Sequence, residues 1–163
     1  MKYKKSFITI LIAVLAIGLL LISLLLINLF KDDIWDSNLK LLKNEILSEE
    51  VQNSEVNLSN FTPFEWDKVY FFPPYMLKEK VYNTVGYKWD WITETVSEGM
   101  NQIVFMKDDK VVCYIYGYPD NNGYGIFLKN DFYNEVIVLY SKNNEIFNIE
   151  KKNGIVYLKQ VNQ

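Results

Sequence analysis

From Phe7 to Phe30 the chain runs for 24 residues without a charge, and Thr9, Gly18, Ser23 and Asn28 are too few and too scattered to give it a wet face. At a rise of about 1.5 Å per residue a helix of this length reaches roughly 36 Å, against a hydrocarbon core of about 30 Å, so the pattern predicts a transmembrane helix with some tilt. A removable secretory signal is shorter and ends in small residues. Leu26-Ile27-Asn28-Leu29-Phe30-Lys31 offers none, and Ala13 to Ala16 fall too early, so cleavage is not expected. Cys113 is the single cysteine, so the acylated cysteine of a lipoprotein is missing and the peptide itself has to be the anchor.

Behind this run the pattern becomes that of an amphipathic helix. Trp35, Leu39, Leu42 and Ile46 recur at spacings of four, three and four with polar residues between them, and Asp33 stands where a cap belongs. Two heptads are marginal for a stable coiled coil. The helix is therefore expected to pack on its own domain or lie at the bilayer surface, with dimerisation through it as the alternative. Gln52 to Asn60 is polar and aperiodic and reads as a linker, which puts the start of the folded domain near Phe61.

The remaining stretch of roughly 100 residues suits one core. Lys68 to Phe72 is β-branched and aromatic and predicts a strand stopped by Pro73-Pro74. Met76, Leu77, Val81 and Val85 predict a helix closed by Gly86, and Lys88 to Gly99 reads as loop with a turn of helix. Gln102–Met106 and Lys110–Tyr118 predict a hairpin about Asp108-Asp109. Further strands follow at Gly125–Leu128, Glu135–Tyr140, Glu145–Ile149 and Ile155–Lys159, separated by turns rich in Lys, Asn and Asp. Strict alternation groups Cys113 with Val111 and Ile115 on one buried face and sets Tyr114, Tyr116 and Tyr118 on the other. The predicted fold class is α+β: an N-terminal transmembrane helix, then an antiparallel five- or six-stranded sheet with the Met76–Val85 helix on one face.

Charge orients this arrangement. Lys2, Lys4 and Lys5 precede the apolar run without an acid, whereas the other 14 lysines stand against all 20 acids behind it, a balance of −6. The positive-inside rule then predicts a cytoplasmic N-terminus (1–6), a single-pass signal anchor in the cell membrane (7–30), a juxtamembrane amphipathic helix and linker (31–60) and an extracytoplasmic α+β domain (61–163). The alternative keeps the anchor and leaves the domain in the cytoplasm. An acidic domain without one Arg has no stripe for phosphate, which argues against nucleic acid. The lack of Arg and His beside abundant Lys, Asn and Ile points to an AT-rich bacterial coding sequence.

With no His there is no imidazole base, no His-containing triad and no His-bound zinc, and one Cys excludes thiolate zinc, so no cofactor or metal is expected. Lys107-Asp108-Asp109-Lys110 lacks the ligand spacing of a calcium loop. Glu65, Asp67, Asp90 and Glu94 are close in sequence, which keeps a small carboxylate-dependent cell-wall hydrolase as the alternative function, while a dyad using Ser97 has no motif behind it. Aromatic residues make up 16% of the chain, more than a small core readily hides. Tyr75, Trp89 and Trp91, which follow the first strand, are therefore the candidate binding surface, with flat rings suited to stack on a sugar or anchor a protein partner.

The stretch Trp66-Asp67-Lys68-Val69-Tyr70-Phe71-Phe72-Pro73-Pro74-Tyr75, with Gly86-Tyr87-Lys88-Trp89, Ile103-Val104-Phe105 and Lys110-Val111-Val112 behind it, resembles a group of small bacterial envelope proteins, many of them lipoproteins. The resemblance covers residues 66–118 and implies an envelope domain, without catalytic residues to carry over. The expected function is a membrane-anchored extracytoplasmic binding domain of the bacterial envelope, non-catalytic, acting as an immunity or accessory protein, with an envelope protein or cell-wall polymer as partner.

Overall fold

Backbone pairing in the computed structural model, which describes residues 14–23, 33–48, 50, 53–129 and 135–161, gives an α+β chain with two four-stranded sheets and a few helices. The chain divides into Met1–Asp33 and Ile34–Gln163. In the first unit residues 14–23 are helical, with Val14, Leu15, Leu19 and Leu20 exposed. The remainder of the 7–30 segment lies outside the described residues, among which no helix is long and apolar enough to cross a membrane.

The second unit opens with α1 (Ile34–Leu47), followed by β1 (Glu55–Asn57), the short α2 (Leu58–Phe61), β2 (Lys68–Phe71) and α3 (Lys78–Val85). The hairpin β3 (Asn101–Lys107) and β4 (Lys110–Gly117) leads through α4 (Pro119–Asn122) to β5 (Tyr124–Phe127), β6 (Ile137–Tyr140), β7 (Ile146–Lys152) and β8 (Ile155–Gln160). One sheet has the order β1-β7-β8-β5 and the other β4-β3-β2-β6. The single antiparallel sheet predicted from the sequence is thus corrected on two counts. The strands form two layers, and β5 runs parallel to β8. The cause is burial on both faces: Asn101 to Met106 are all buried, so β3 needs a layer above and below it. Between the sheets lies a core of Ile103, Phe105, Cys113, Ile115, Phe147, Ile149 and Leu158. On the outer face of β4-β3-β2-β6 a second core joins Tyr70, Val104, Met106 and Tyr114 to Met76, Val81 and Val85 at α3.

The folded unit begins at Ile34, ahead of the predicted start near Phe61. The apolar stripe of α1 is absorbed by its own domain, since Leu42 and Ile46 are fully buried in the inter-sheet core. Asn38 Nδ2 donates to Val112 O at 2.8 Å, so the helix also covers backbone at the β4 edge. That carbonyl sits at a β-bulge: Phe105 pairs with Cys113 and Met106 with Val111, which leaves Val112 over. The bulge shifts the alternation by one, so Val112 joins Cys113 and Ile115 in the inter-sheet core while Val111 turns to the outer face with Tyr114, correcting the grouping expected from strict alternation. The expected linker is also partly structured, because β1 pairs with β7 and Asn57 caps α2 by accepting from Ser59 N and Asn60 N. Leu42 and Ile46 are thereby spent within the domain, while Ile34 and Leu41 of α1 stay exposed.

Candidate functional site

The sequence between α3 and β3 lacks periodicity, and it forms a strap laid across the outer face of β4-β3-β2-β6. Gly86 ends α3 in the left-handed conformation at φ 94°, its N–H donating to Tyr82 O, and so turns the chain onto the sheet. Phenols from the sheet and the strap then fasten it. Val111 N donates to the Tyr87 hydroxyl at 2.9 Å, and Thr93 N to the Tyr114 hydroxyl at 3.2 Å. The Tyr116 hydroxyl donates to Glu94 O at 2.9 Å, and Gln102 Nε2 to Thr93 O at 2.7 Å. Tyr114 and Tyr116 therefore lie under the strap as its hydrogen-bonding bed, stacked with centroids 6.0 Å apart, and only Tyr118, beyond the end of β4, is exposed. Burial raises the Tyr114 phenol above its ordinary range and keeps it a neutral donor.

The three predicted site residues separate on this strap. Trp89 is half-buried between Trp35 of α1 and Tyr114, edge-on to both at 5.3 and 5.4 Å, and its role is packing. Trp91 also meets Trp35, tilted at 45° with centroids 5.4 Å apart, and is 58% exposed. Tyr75 is 60% exposed and holds a left-handed backbone at φ 64°, a conformation that costs a residue with a Cβ about 1–2 kcal/mol. Its N–H donates to Thr95 Oγ1 at 3.0 Å, Lys78 N donates to Glu94 Oε1 at 2.8 Å, and Lys78 Nζ reaches Asp90 O at 3.3 Å. Segments 75–78 and 90–95 are thereby laced side by side.

Two further apolar residues are exposed here, Leu77 on the first segment and Val96 just past the second, 62% and 73% exposed. The helical spacing places Leu77 in the apolar stripe of α3, but the helix starts one residue later and Leu77 is its extended N-cap, turned outward. Only that cap position distinguishes it from Val81. Val96 carries no local signal. Trp35 was readable as part of an apolar stripe, but not as the neighbour of Trp89 and Trp91.

The four acids considered for catalysis divide between two places, each engaged by a nearby donor or cation. Asp67 accepts from Asp108 N at 2.9 Å and from Lys107 Nζ at 3.0 Å, and Glu65 lies 3.8 Å from the same ammonium. Glu94 receives Lys78 N, and exposed Asp90 stands 4.0 Å from Lys88. The Asp108 amide, with Lys107, holds the Asp67 carboxyl below its usual range, the reverse of what a general acid needs. Asp108 and Asp109 both have positive φ, as a tight hairpin turn requires, and Asp109 pairs with Lys68 at 3.2 Å. Ser97 donates to the neighbouring Glu98 carbonyl. Among the described residues no group of three acids or thiols is placed to hold a metal ion.

Beside this corner lies a groove of about 620 Å³ lined by Ser59, Thr62, Phe64, Glu65, Trp66, Asp67, Lys107 and Ser141. Its Trp66 is structural: the indole N–H donates to Thr62 Oγ1 at 2.7 Å and the ring packs edge-on to Phe105 at 5.4 Å. The depressed Asp67 pKa has a testable sign. Its stabilisation is present above the ordinary carboxylate value near 4 and is lost as pH falls through the lower folded value. The urea midpoint of the wild type is expected to drop more than that of Asp67→Asn between neutral pH and about pH 3, because Asn still accepts from Asp108 N but cannot be protonated there. Equal drops would contradict that assignment.

Cys113 is fully buried, and desolvation pushes its thiol far up, so it is an inert core group. Set against protein-family models, curated proteins and solved structures, the chain finds no match in any of the three.

Proposed function

We propose that this protein is a single-pass membrane protein whose extracytoplasmic α+β domain acts by binding and carries out no catalysis. The observation that carries the binding reading is the group of outward apolar side chains Tyr75, Leu77, Trp91 and Val96 on or beside two segments laced together by hydrogen bonds, with Tyr75 held in a strained backbone conformation. The engagement of Asp67, Glu65 and Glu94 by cations and amide donors supports the non-catalytic part. The uncharged run Phe7–Phe30 and the lysines before it support the anchor and its orientation.

Protease added to intact spheroplasts is expected to digest the domain. Full protection beside a digested external control would place it on the cytoplasmic side. Crosslinking in the native membrane is then expected to depend on the exposed patch, so that Tyr75→Ala with Trp91→Ala loses the captured contacts while the domain stays folded; unchanged capture would refute binding through this surface.

A further inference from the structure

We infer that the exposed patch takes the headgroup–acyl boundary of the bilayer in which the chain is anchored, so that the domain rests on the membrane through Trp91, Leu77 and Val96. This rests on the anchored reading above and names the partner of the same surface. The first support is the length of the tether. From Phe30, the last residue of the apolar run, to Trp35 there are five residues, which span at most about 17 Å when fully extended. A domain of this size is about 35 Å across, twice that reach. The start of α1 therefore stays within about 17 Å of the end of the apolar run, and what touches that start stays near the membrane with it. Trp91 is in ring contact with Trp35, and Ile34 beside it is 62% exposed.

The second support is the chemistry of the patch. Indole and phenol are the side chains that settle at the boundary between headgroups and acyl chains, with the ring in the apolar layer and its polar atom in the wet one. Here Trp91 and Tyr75 stand out beside Leu77 and Val96, all more than half exposed. The charged residues around them carry both signs, Lys78 with Glu94 and Lys88 with Asp90, so the contact works by apolar insertion and owes little to attraction for anionic lipid. It should therefore be insensitive to salt and to the anionic lipid content. A polybasic surface would behave in the opposite way.

The test uses the full chain reconstituted into phosphatidylcholine vesicles with and without lipids brominated at shallow acyl carbons, which quench tryptophan on contact. Trp66 is buried and Trp35 and Trp89 are half-buried, so Trp91, 58% exposed, is the most accessible indole, and the difference between wild type and Trp91→Phe separates its quenching from that of Trp35 at the tethered end. Quenching of the wild type is expected, with most of it lost in Trp91→Phe and a several-fold reduction in Val96→Asp, a change at an exposed position that leaves the urea midpoint unaltered. Quenching should persist in raised salt. If wild type and Trp91→Phe are quenched alike in vesicles that retain the chain through an alkaline carbonate wash, the docking is refuted and the anchor stands. Release of the chain by that wash refutes the anchor, and the docking with it. Quenching that vanishes when native membrane proteins are added would show that a protein, and not lipid, covers the patch.

Discussion

A fragment beginning at Phe61 is expected to be unfolded, whereas one beginning at Ile34 is expected to fold. The apolar pattern alone favours the shorter fragment, because 52–60 reads as a linker. In the folded unit, however, Leu42, Ile46 and Leu58 are all fully buried in the core between the sheets. Removing one such side chain costs about 2–5 kcal/mol, and a domain has about 5–15 kcal/mol in total. The shorter fragment loses all three at once. It also uncovers the edge of β4 where Asn38 bonds Val112 O, and takes β1 from the edge of β7. Far-ultraviolet circular dichroism and urea titration of both fragments provide the check. A cooperative transition in the Phe61 fragment would show that α1 is dispensable, and the packing assigned to it would then be wrong.

Asn101→Leu should destabilise the domain by about 2–6 kcal/mol, an unusually large effect for a near-isosteric change. Asn101 is buried at the start of β3, and its amide does the work of a missing strand. Nδ2 donates to Ile126 O at 3.1 Å while Oδ1 accepts from Ile126 N at 3.0 Å, joining one sheet to an edge strand of the other. Leu fills the space but leaves a buried donor and a buried acceptor of Ile126 unpaired, at about 1–3 kcal/mol each. Asn101→Asp isolates half of this effect. An ionised carboxylate still accepts from Ile126 N, but it sets an oxygen against Ile126 O, so the variant should be least stable at neutral pH and recover as the carboxyl is protonated. Urea midpoints for the two variants at neutral and acid pH decide the matter, and a loss below about 1 kcal/mol for Leu would mean that the clip is ornamental.

Features that depend on near neighbours in the chain were legible. The 3.6-residue spacing of Leu39, Leu42 and Ile46 identified α1, Gly86 marked the end of α3, and Asp108-Asp109 located the β3–β4 turn. The alternation after that turn misassigned Val111 because a single extra residue, Val112, shifts the phase of a pattern whose period is two. The candidate site was half legible. Composition and position singled out Tyr75, Trp89 and Trp91, but a strap without periodicity gives no rule for which ring turns inward. Trp89 does so because Trp35 and Tyr114 close on it, and Trp35 comes from more than fifty residues earlier in the chain.

What the sequence by itself determined is the uncharged run and its flanking charge, the absence of His and Arg chemistry, the α+β class and most elements, because each depends on residue type and short-range spacing. What only the tertiary structure decided is that the strands form two sheets, that α1 belongs to the domain, and that Tyr75, Leu77, Trp91 and Val96 remain outside. Those outcomes depend on which surfaces cover one another, and β3, buried on both faces, needs two layers that no local pattern can assign.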